Sequence, residues 1–100
     1  MVYADDIRGP WSDPSLVHAG GGIDPGHAVG EDGKRYLFLS AGTRLRLTDD
    51  GLRSDGPIET VYAGWKYPED WYDEAFSLES PKVFRRGDYF YLVCAEGGTY

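Results

Sequence analysis

The chain has 100 residues, of which 41% are hydrophobic and 15% aromatic, which suits one small globular domain and excludes a disordered chain. Its formal net charge of −7, from 10 basic and 17 acidic residues, argues against a nucleic-acid partner and favours neutral ligands. No stretch approaches the length of a transmembrane helix, so no membrane partner is expected.

The N-terminus and the single cysteine lead to further expectations. Met1 to Asp6 lacks the basic and apolar regions of a signal peptide, which predicts a cytoplasmic chain. Cys94 lies inside an apolar run and is interpreted as a small buried hydrophobe rather than a nucleophile. The acidic turns do not continue with ligands at the spacing of a calcium loop. We therefore expect neither a metal nor a cofactor.

The first predicted elements are short. Val2 to Ala4 is interpreted as the end of a strand, and Ser15 to His18 as a short strand that follows Pro14. The glycine run 20–22 is too flexible for the interior of an element and predicts a boundary between two sheets.

A four-stranded antiparallel sheet is predicted next. Asp32-Gly33 predicts a two-residue hairpin turn of the primed type. A second turn is predicted at Gly42-Thr43, and a longer connection runs from Asp49 to Pro57. Arg35 to Leu39 is apolar on both faces, as expected of a strand buried between layers. The predicted strands are Ile23 to Val29, Lys34 to Ala41, Arg44 to Thr48 and Ile58 to Tyr62.

The segment from Ala63 to Phe76 is predicted to be a loop rich in aromatic and acidic residues. Its large aromatics are Trp65, Tyr67, Trp71 and Tyr72. Such side chains stack on sugar rings, but they also fill interfaces between sheets, and the sequence leaves both interpretations open.

A copy of the strand-turn-strand pattern appears about 54 residues later, as Leu78 to Phe84, Gly87-Asp88 and Tyr89 to Ala95. Each copy opens with a carboxylate close to a proline, Asp24 in the first and Glu79 in the second. A period near 50 residues built from short strands is typical of β-propeller blades. The sequence therefore predicts an all-β, partial β-propeller of about two four-stranded antiparallel blades, with both carboxylates near the central axis.

An ordered run of motifs carries a family resemblance. The run comprises Gly9-Pro10-Trp11, Ile23-Asp24-Pro25, Glu31 to Leu37, Asp49 to Leu52, Leu78 to Lys82 and Gly87 to Leu92. It resembles the interior of glycoside hydrolase family 43, whose members are five-bladed propellers that act on xylosides and arabinosides. The resemblance implies that residues 1–20 end one blade, 23–63 form a full blade, and 77–100 form the first half of the next.

The resemblance also implies roles for the two carboxylates. Glu79 matches the general acid of an inverting glycosidase, and Asp24 matches the third carboxylate, which orients the acid and modulates its pKa. The family's catalytic base lies on an earlier blade and has no counterpart in this chain. Ser80 stands where the family usually has a glycine after the acid.

Other interpretations of the candidate residues stay open. Asp24 can also be interpreted as an ordinary turn residue, and Glu79 as an ordinary exposed acid near the end of a strand. His27, Trp65 and Trp71 are predicted to bind substrate, although a lone histidine is more often structural. The expected partners are pentose-containing saccharides.

A propeller that lacks some of its blades leaves apolar faces uncovered, here notably along Tyr36 to Leu39 and Tyr89 to Val93. We therefore predict a homo-oligomer that forms through these faces. Weak or absent activity is expected of the isolated chain. The alternative is a catalytically inactive fragment that binds sugar or self-assembles.

Overall fold

A computed structural model describes residues 1–72 and 75–97. Within these ranges every regular element is a β-strand. No helix long and apolar enough to span a membrane occurs among these described residues. The strands are β1 (Gly26–Val29), β2 (Arg35–Leu39), β3 (Thr43–Leu47), β4 (Ser54–Thr60), β5 (Leu78–Arg86) and β6 (Tyr89–Glu96). Strands β1 to β4 form one antiparallel sheet in chain order, the first sheet, and β5 pairs with β6 in the second sheet. The predicted all-β fold is confirmed, while residues 98–100 of the predicted half blade lie outside the described ranges.

The core is a set of leucines that share one face of the first sheet. Leu37 and Leu39 alternate along β2, and Leu45 and Leu47 alternate along β3, so the period of two in the sequence places all four together. Each is at most 6% exposed. Val17 and Ala19 pack against this cluster from the N-terminal segment.

The two short strands predicted at Val2 to Ala4 and Ser15 to His18 are absent from the structure. The N–H of Ser12 donates to the carbonyl of Tyr3, and the N–H of Ser15 donates to the carbonyl of Met1, both over 2.8 Å. The two donors, Ser12 and Ser15, are three residues apart, whereas the two acceptors, Tyr3 and Met1, are two residues apart. Pro14 lies between them without an N–H to donate, so no regular ladder forms.

The hairpin between β1 and β2 is confirmed, but the predicted turn type is wrong. The N–H of Gly33 donates to the carbonyl of Gly30 over 3.0 Å, and only Gly33 in this turn has a positive φ, of 75°. The connection is therefore a type I turn followed by a left-handed glycine, rather than a primed turn. The carboxylate of Asp32 accepts the N–H of Lys34 over 2.9 Å, which stabilises Asp32 in its ordinary backbone conformation.

The boundaries of the last two strands of the first sheet also differ from the prediction. The turn lies at 40–42, so Thr43 already belongs to β3. Strand β4 begins at Ser54, because three residues, 55–57, bulge out opposite Arg46. The guanidinium of Arg46 holds this bulge by donating to the carbonyl of Asp55 over 3.0 Å. Pro57 is tolerated there because β4 is an outer strand of the sheet.

The face of the first sheet opposite the leucine core packs toward the second sheet. Tyr36 and Phe38 are half-buried there and, with Val83 and Phe90, line a cavity of about 300 Å³. Strand β2 is therefore covered on both faces, and the prediction that Tyr36 to Leu39 presents an uncovered apolar face for self-association is wrong. The apolar side chains of β6 are uncovered: their exposed fractions run from 36% for Leu92 to 70% for Tyr89.

Candidate functional site

A shallow depression of about 340 Å³ lies where the end of β2 meets the start of β5, and Glu79 is part of its wall. Ile23, at 59% exposed, and Phe76, at 62% exposed, are its large apolar side chains. The remaining lining residues are Ser40, Ala41, Ala63, Ser77 and Leu78. A small open surface with one carboxylate among apolar walls suits a neutral, partly apolar ligand such as a sugar ring.

The turn that follows β2 fixes one side of the depression. Ala41 has a φ of 60°, and its N–H donates to the carbonyl of Leu78 over 2.9 Å. The neighbouring Ser40 binds Ile23 twice, through an N–H donated to the carbonyl of Ile23 over 2.9 Å and a hydroxyl that accepts the N–H of Ile23 over 3.2 Å. The start of β5 is thereby attached to the first sheet immediately before Glu79.

Asp24 binds the backbone of Ser80, the residue that follows Glu79. The N–H of Ser80 donates to Asp24 Oδ2 over 3.2 Å, a contact between residues 56 positions apart in sequence. Asp24 has a φ of 56°, a left-handed conformation that aspartate tolerates better than most side chains. Glu79 is therefore held between Leu78, which is bound to the turn between β2 and β3, and Ser80, which is bound to Asp24 just before β1.

A β-bulge lies directly after Glu79. Ser80 and Pro81 together stand opposite Cys94 in the β5–β6 ladder, and Ser80 has a φ of 50°. Bulges re-aim the side chains beside them and are common next to active sites. The left-handed backbone at Ser80 supplies a physical reason for the glycine expected at this position from the family resemblance.

Gly26 allows the two sheets to approach at the bulge. A Cβ atom added to Gly26 would collide with the carbonyl oxygen of Pro81 and lie 3.2 Å from its carbonyl carbon. The absence of a side chain on β1 is therefore what lets β5 lie close enough for Ser80 to reach Asp24.

His27 lies outside the depression. His27 of β1 pairs with Leu37 of β2, whereas the adjacent Gly26 faces Pro81. Because successive side chains of a strand point to opposite faces, His27 points away from Pro81. His27 is exposed, and partial loss of hydration, followed by the positive charge of Arg35, lowers its pKa below the usual value. The structure does not bring His27 together with Glu79, and its substrate-binding role stays a prediction.

Trp65 and Trp71 belong to an aromatic cluster beside the depression. Their ring centroids are 5.3 Å apart in an edge-to-face arrangement, and the ring of Tyr67 is stacked 6.3 Å from that of Trp71. Tyr67 in turn lies 5.7 Å from Phe76, which lines the depression. The tryptophans are 49% and 59% exposed, so a role in sugar binding stays a prediction for both.

Sequence reasoning missed Phe76, Ile23 and Ala41 as neighbours of Glu79. The doublet Ala41-Gly42, which follows an apolar run, was available as a turn signal, but no local pattern shows which distant strand its N–H binds. Within residues 1–72 and 75–97, no group of three or more His, Cys, Asp or Glu side chains is arranged to hold a metal ion.

Comparison with known proteins gives consistent matches over the whole chain. The model for Glycosyl hydrolases family 43 matches residues 1–100. A Xylan 1,3-beta-xylosidase from a Vibrio species is 32% identical over 112 residues, which cover 99% of this chain and 19% of that protein. The Xylosidase/arabinosidase 43B of Humicola insolens is 28% identical and is matched over the same shares of the two chains, 99% and 19%.

Solved structures show the same similarity. The GH43 BlXynB protein from Bacillus licheniformis matches with a TM-score of 0.79 and 30% identity over 97% of this chain and 18% of its own. The xylan beta-1,4-xylosidase from Bacillus halodurans C-125 matches with a TM-score of 0.73 and 28% identity over 98% of this chain and 19% of its own. These neighbours are propellers, so the predicted partial β-propeller is confirmed, and the chain spans about a fifth of their length.

Proposed function

Because the chain belongs to glycosyl hydrolase family 43, we propose that it supplies the acid side of a site that hydrolyses xylosides or arabinofuranosides. Relatives named as xylosidases and xylosidase/arabinosidases support pentose-containing saccharides as the substrate class. The observation that carries the proposal is the contact of Asp24 with the N–H of Ser80, which fixes the backbone beside Glu79.

In this proposal Glu79 is the general acid. It donates its proton to the glycosidic oxygen as the bond from the anomeric carbon to that oxygen breaks. A carboxylate base takes a proton from water, whose oxygen bonds to the anomeric carbon from the opposite face, so the configuration inverts. Asp24 acts by holding Ser80 and thus the direction of Glu79. Its further role as a modulator of the pKa of the acid stays a prediction.

The base is proposed to come from outside these 100 residues, since the chain matches about a fifth of its relatives and the family resemblance implies a base on an earlier blade. By itself the chain is then expected to be weakly active or inactive. Self-association stays a prediction, in which the exposed side chains of β6, such as Tyr89 at 70% and Val93 at 52%, would form the contact.

A second candidate is a sugar-binding fragment without catalysis. It is favoured by the apolar walls of the depression, Ile23 and Phe76, which remain able to contact a sugar ring whether or not a base is present. The two candidates differ in turnover and agree on binding.

The test combines molar mass from light scattering with hydrolysis of xylobiose and of an arabinofuranosyl xylobiose, whose sugar leaving groups depart only when protonated. Wild type is compared with Glu79→Gln and with Glu31→Gln, a control that removes one charge from the β1–β2 turn outside the depression. Turnover lost in Glu79→Gln and kept in Glu31→Gln supports the general acid. Turnover that survives in Glu79→Gln contradicts it, and sugar binding without turnover in any variant selects the second candidate.

A further inference from the structure

Glu96, the last residue of β6, gathers several contacts from the aromatic loop between β4 and β5. Its Oε2 accepts the backbone N–H of Trp65 over 3.3 Å and the hydroxyl of Tyr67 over 3.5 Å. A hydrogen bond to Glu96 also raises the pKa of Tyr62 above its usual value. One half-buried carboxylate therefore contacts three residues that are close together in one loop.

Glu96 itself cannot take part in the proposed reaction. In the β5–β6 ladder it stands opposite Leu78, whereas Glu79 stands opposite Ala95. Because neighbouring residues of a strand point to opposite faces, the side chain of Glu96 lies on the face away from Glu79. The side chain of Glu96 therefore acts on the depression through its contacts in the loop.

The loop provides a contiguous route to the depression. Tyr67, bound to Glu96, lies 5.7 Å from Phe76, and Phe76 lines the depression together with Glu79. The backbone beside Glu96 adds a second attachment, since the N–H of Gly97 donates to the carbonyl of Ser77 over 3.2 Å. Both ends of the aromatic loop are thus fastened at the end of β6.

The alternative is an ordinary solvated acid at a strand end. Such an acid needs no donors from the protein, whereas a half-buried carboxylate among aromatic rings is costly unless hydrogen bonds compensate its lost hydration. Glu96 has such bonds, and they come from the aromatic loop. The contacts therefore favour a fastening role.

We propose that Glu96 is a positioning residue, which holds the aromatic loop so that Phe76 forms a wall of the sugar-binding depression beside Glu79. The part of this inference that concerns sugar rests on the proposed function. The part that concerns the loop does not, and the two are measured separately.

The experiment uses the full chain with Trp11→Phe and excitation selective for tryptophan, so that the emission comes from Trp65 and Trp71. Glu96→Ala, Glu96→Gln and the control Glu31→Ala are compared by acrylamide quenching of tryptophan and by fluorescence titration with xylobiose. Glu96→Ala should raise the quenching constant about twofold and weaken xylobiose binding about tenfold, the effect of roughly one hydrogen bond to a charged group. Glu96→Gln should restore most of both, because its amide oxygen still accepts a hydrogen bond.

The outcomes separate the two parts. Unchanged quenching in Glu96→Ala overturns the fastening role, and far-ultraviolet circular dichroism of Glu96→Gln checks that the fold is kept. Raised quenching with unchanged xylobiose affinity overturns the link to the depression while the proposed function stands. If wild type itself binds no xylobiose, the proposed function fails, and raised quenching in Glu96→Ala still supports the fastening of the loop.

Discussion

Replacing Gly26 with alanine tests whether the close approach of β1 to the bulge on β5 holds the site together. Gly26 does not have a positive φ, so backbone entropy alone predicts that alanine stabilises the chain by about 0.4–1 kcal/mol. The added methyl group, however, would collide with the carbonyl oxygen of Pro81. Overpacking of this kind costs about 1–3 kcal/mol, so we expect a net loss of about 1–2 kcal/mol in the free energy of unfolding.

Urea denaturation measures that loss, and amide hydrogen exchange locates it. In Gly26→Ala the N–H of Ser80 should exchange faster, because the bulge must move away from Asp24. Gly33→Ala is the matched control: Gly33 has open space around it and a φ of 75°, so alanine there costs about 1 kcal/mol through the backbone alone and leaves Ser80 unchanged. A Gly26→Ala variant at least as stable as wild type, with unchanged exchange at Ser80, would refute the reasoning.

Two further predictions concern the same contact, and a third concerns His27. Asp24→Ala should lower the free energy of unfolding by about 2 kcal/mol in urea, and Asp24→Asn by less than about 1 kcal/mol, because asparagine keeps an acceptor and tolerates positive φ; equal losses would contradict the role of the Ser80 contact. Ser80→Gly should raise the melting temperature, since relief of a left-handed serine, worth about 1–2 kcal/mol, exceeds the entropy cost of glycine of about 0.5–1 kcal/mol; Ser80→Ala is the control, and a lower melting temperature for the glycine variant would count against a strained bulge. Partial loss of hydration and the positive charge of Arg35 lower the pKa of the exposed His27, so the folded chain binds this proton less readily than the unfolded chain. The resulting stability is present above the usual pKa of 6.5 and is lost as pH falls below it, so thermal melts of His27→Gln should show a smaller decrease on acidification than wild type, and an identical decrease would exclude His27 as the cause.

The strand pattern was predictable because it depends on local chemistry. The apolar run from Arg35 to Leu39 predicted a buried strand, and glycine-containing turns predicted the β1–β2 and β5–β6 hairpins. The bounds of β4 were not predictable, because a bulge held by Arg46 lets Pro57 stay within an outer strand. In such a position the usual signal of proline as a strand breaker misleads.

The site was predictable only in part. The repeat and the family resemblance singled out Asp24 and Glu79, and the structure places Asp24 against the residue after Glu79. The left-handed conformations at Asp24, Ala41 and Ser80 that shape the contact depend on partners far away in sequence. For the same reason Glu96 had no local signal, since its partners in the aromatic loop lie 29 and 31 positions away.

The most direct test of the account is a xylobiose titration of the ¹⁵N-labelled chain followed by amide chemical shifts. The account predicts that the largest shifts occur at Ile23, Ala41, Ser77 and Glu79, which surround the depression. Glu79→Gln should keep this pattern, because the substitution removes the proposed proton donor and preserves the shape of the wall. Amide shifts confined to the residues of β6, or no amide shifts at saturating xylobiose, would contradict a pentose-binding site built around Glu79.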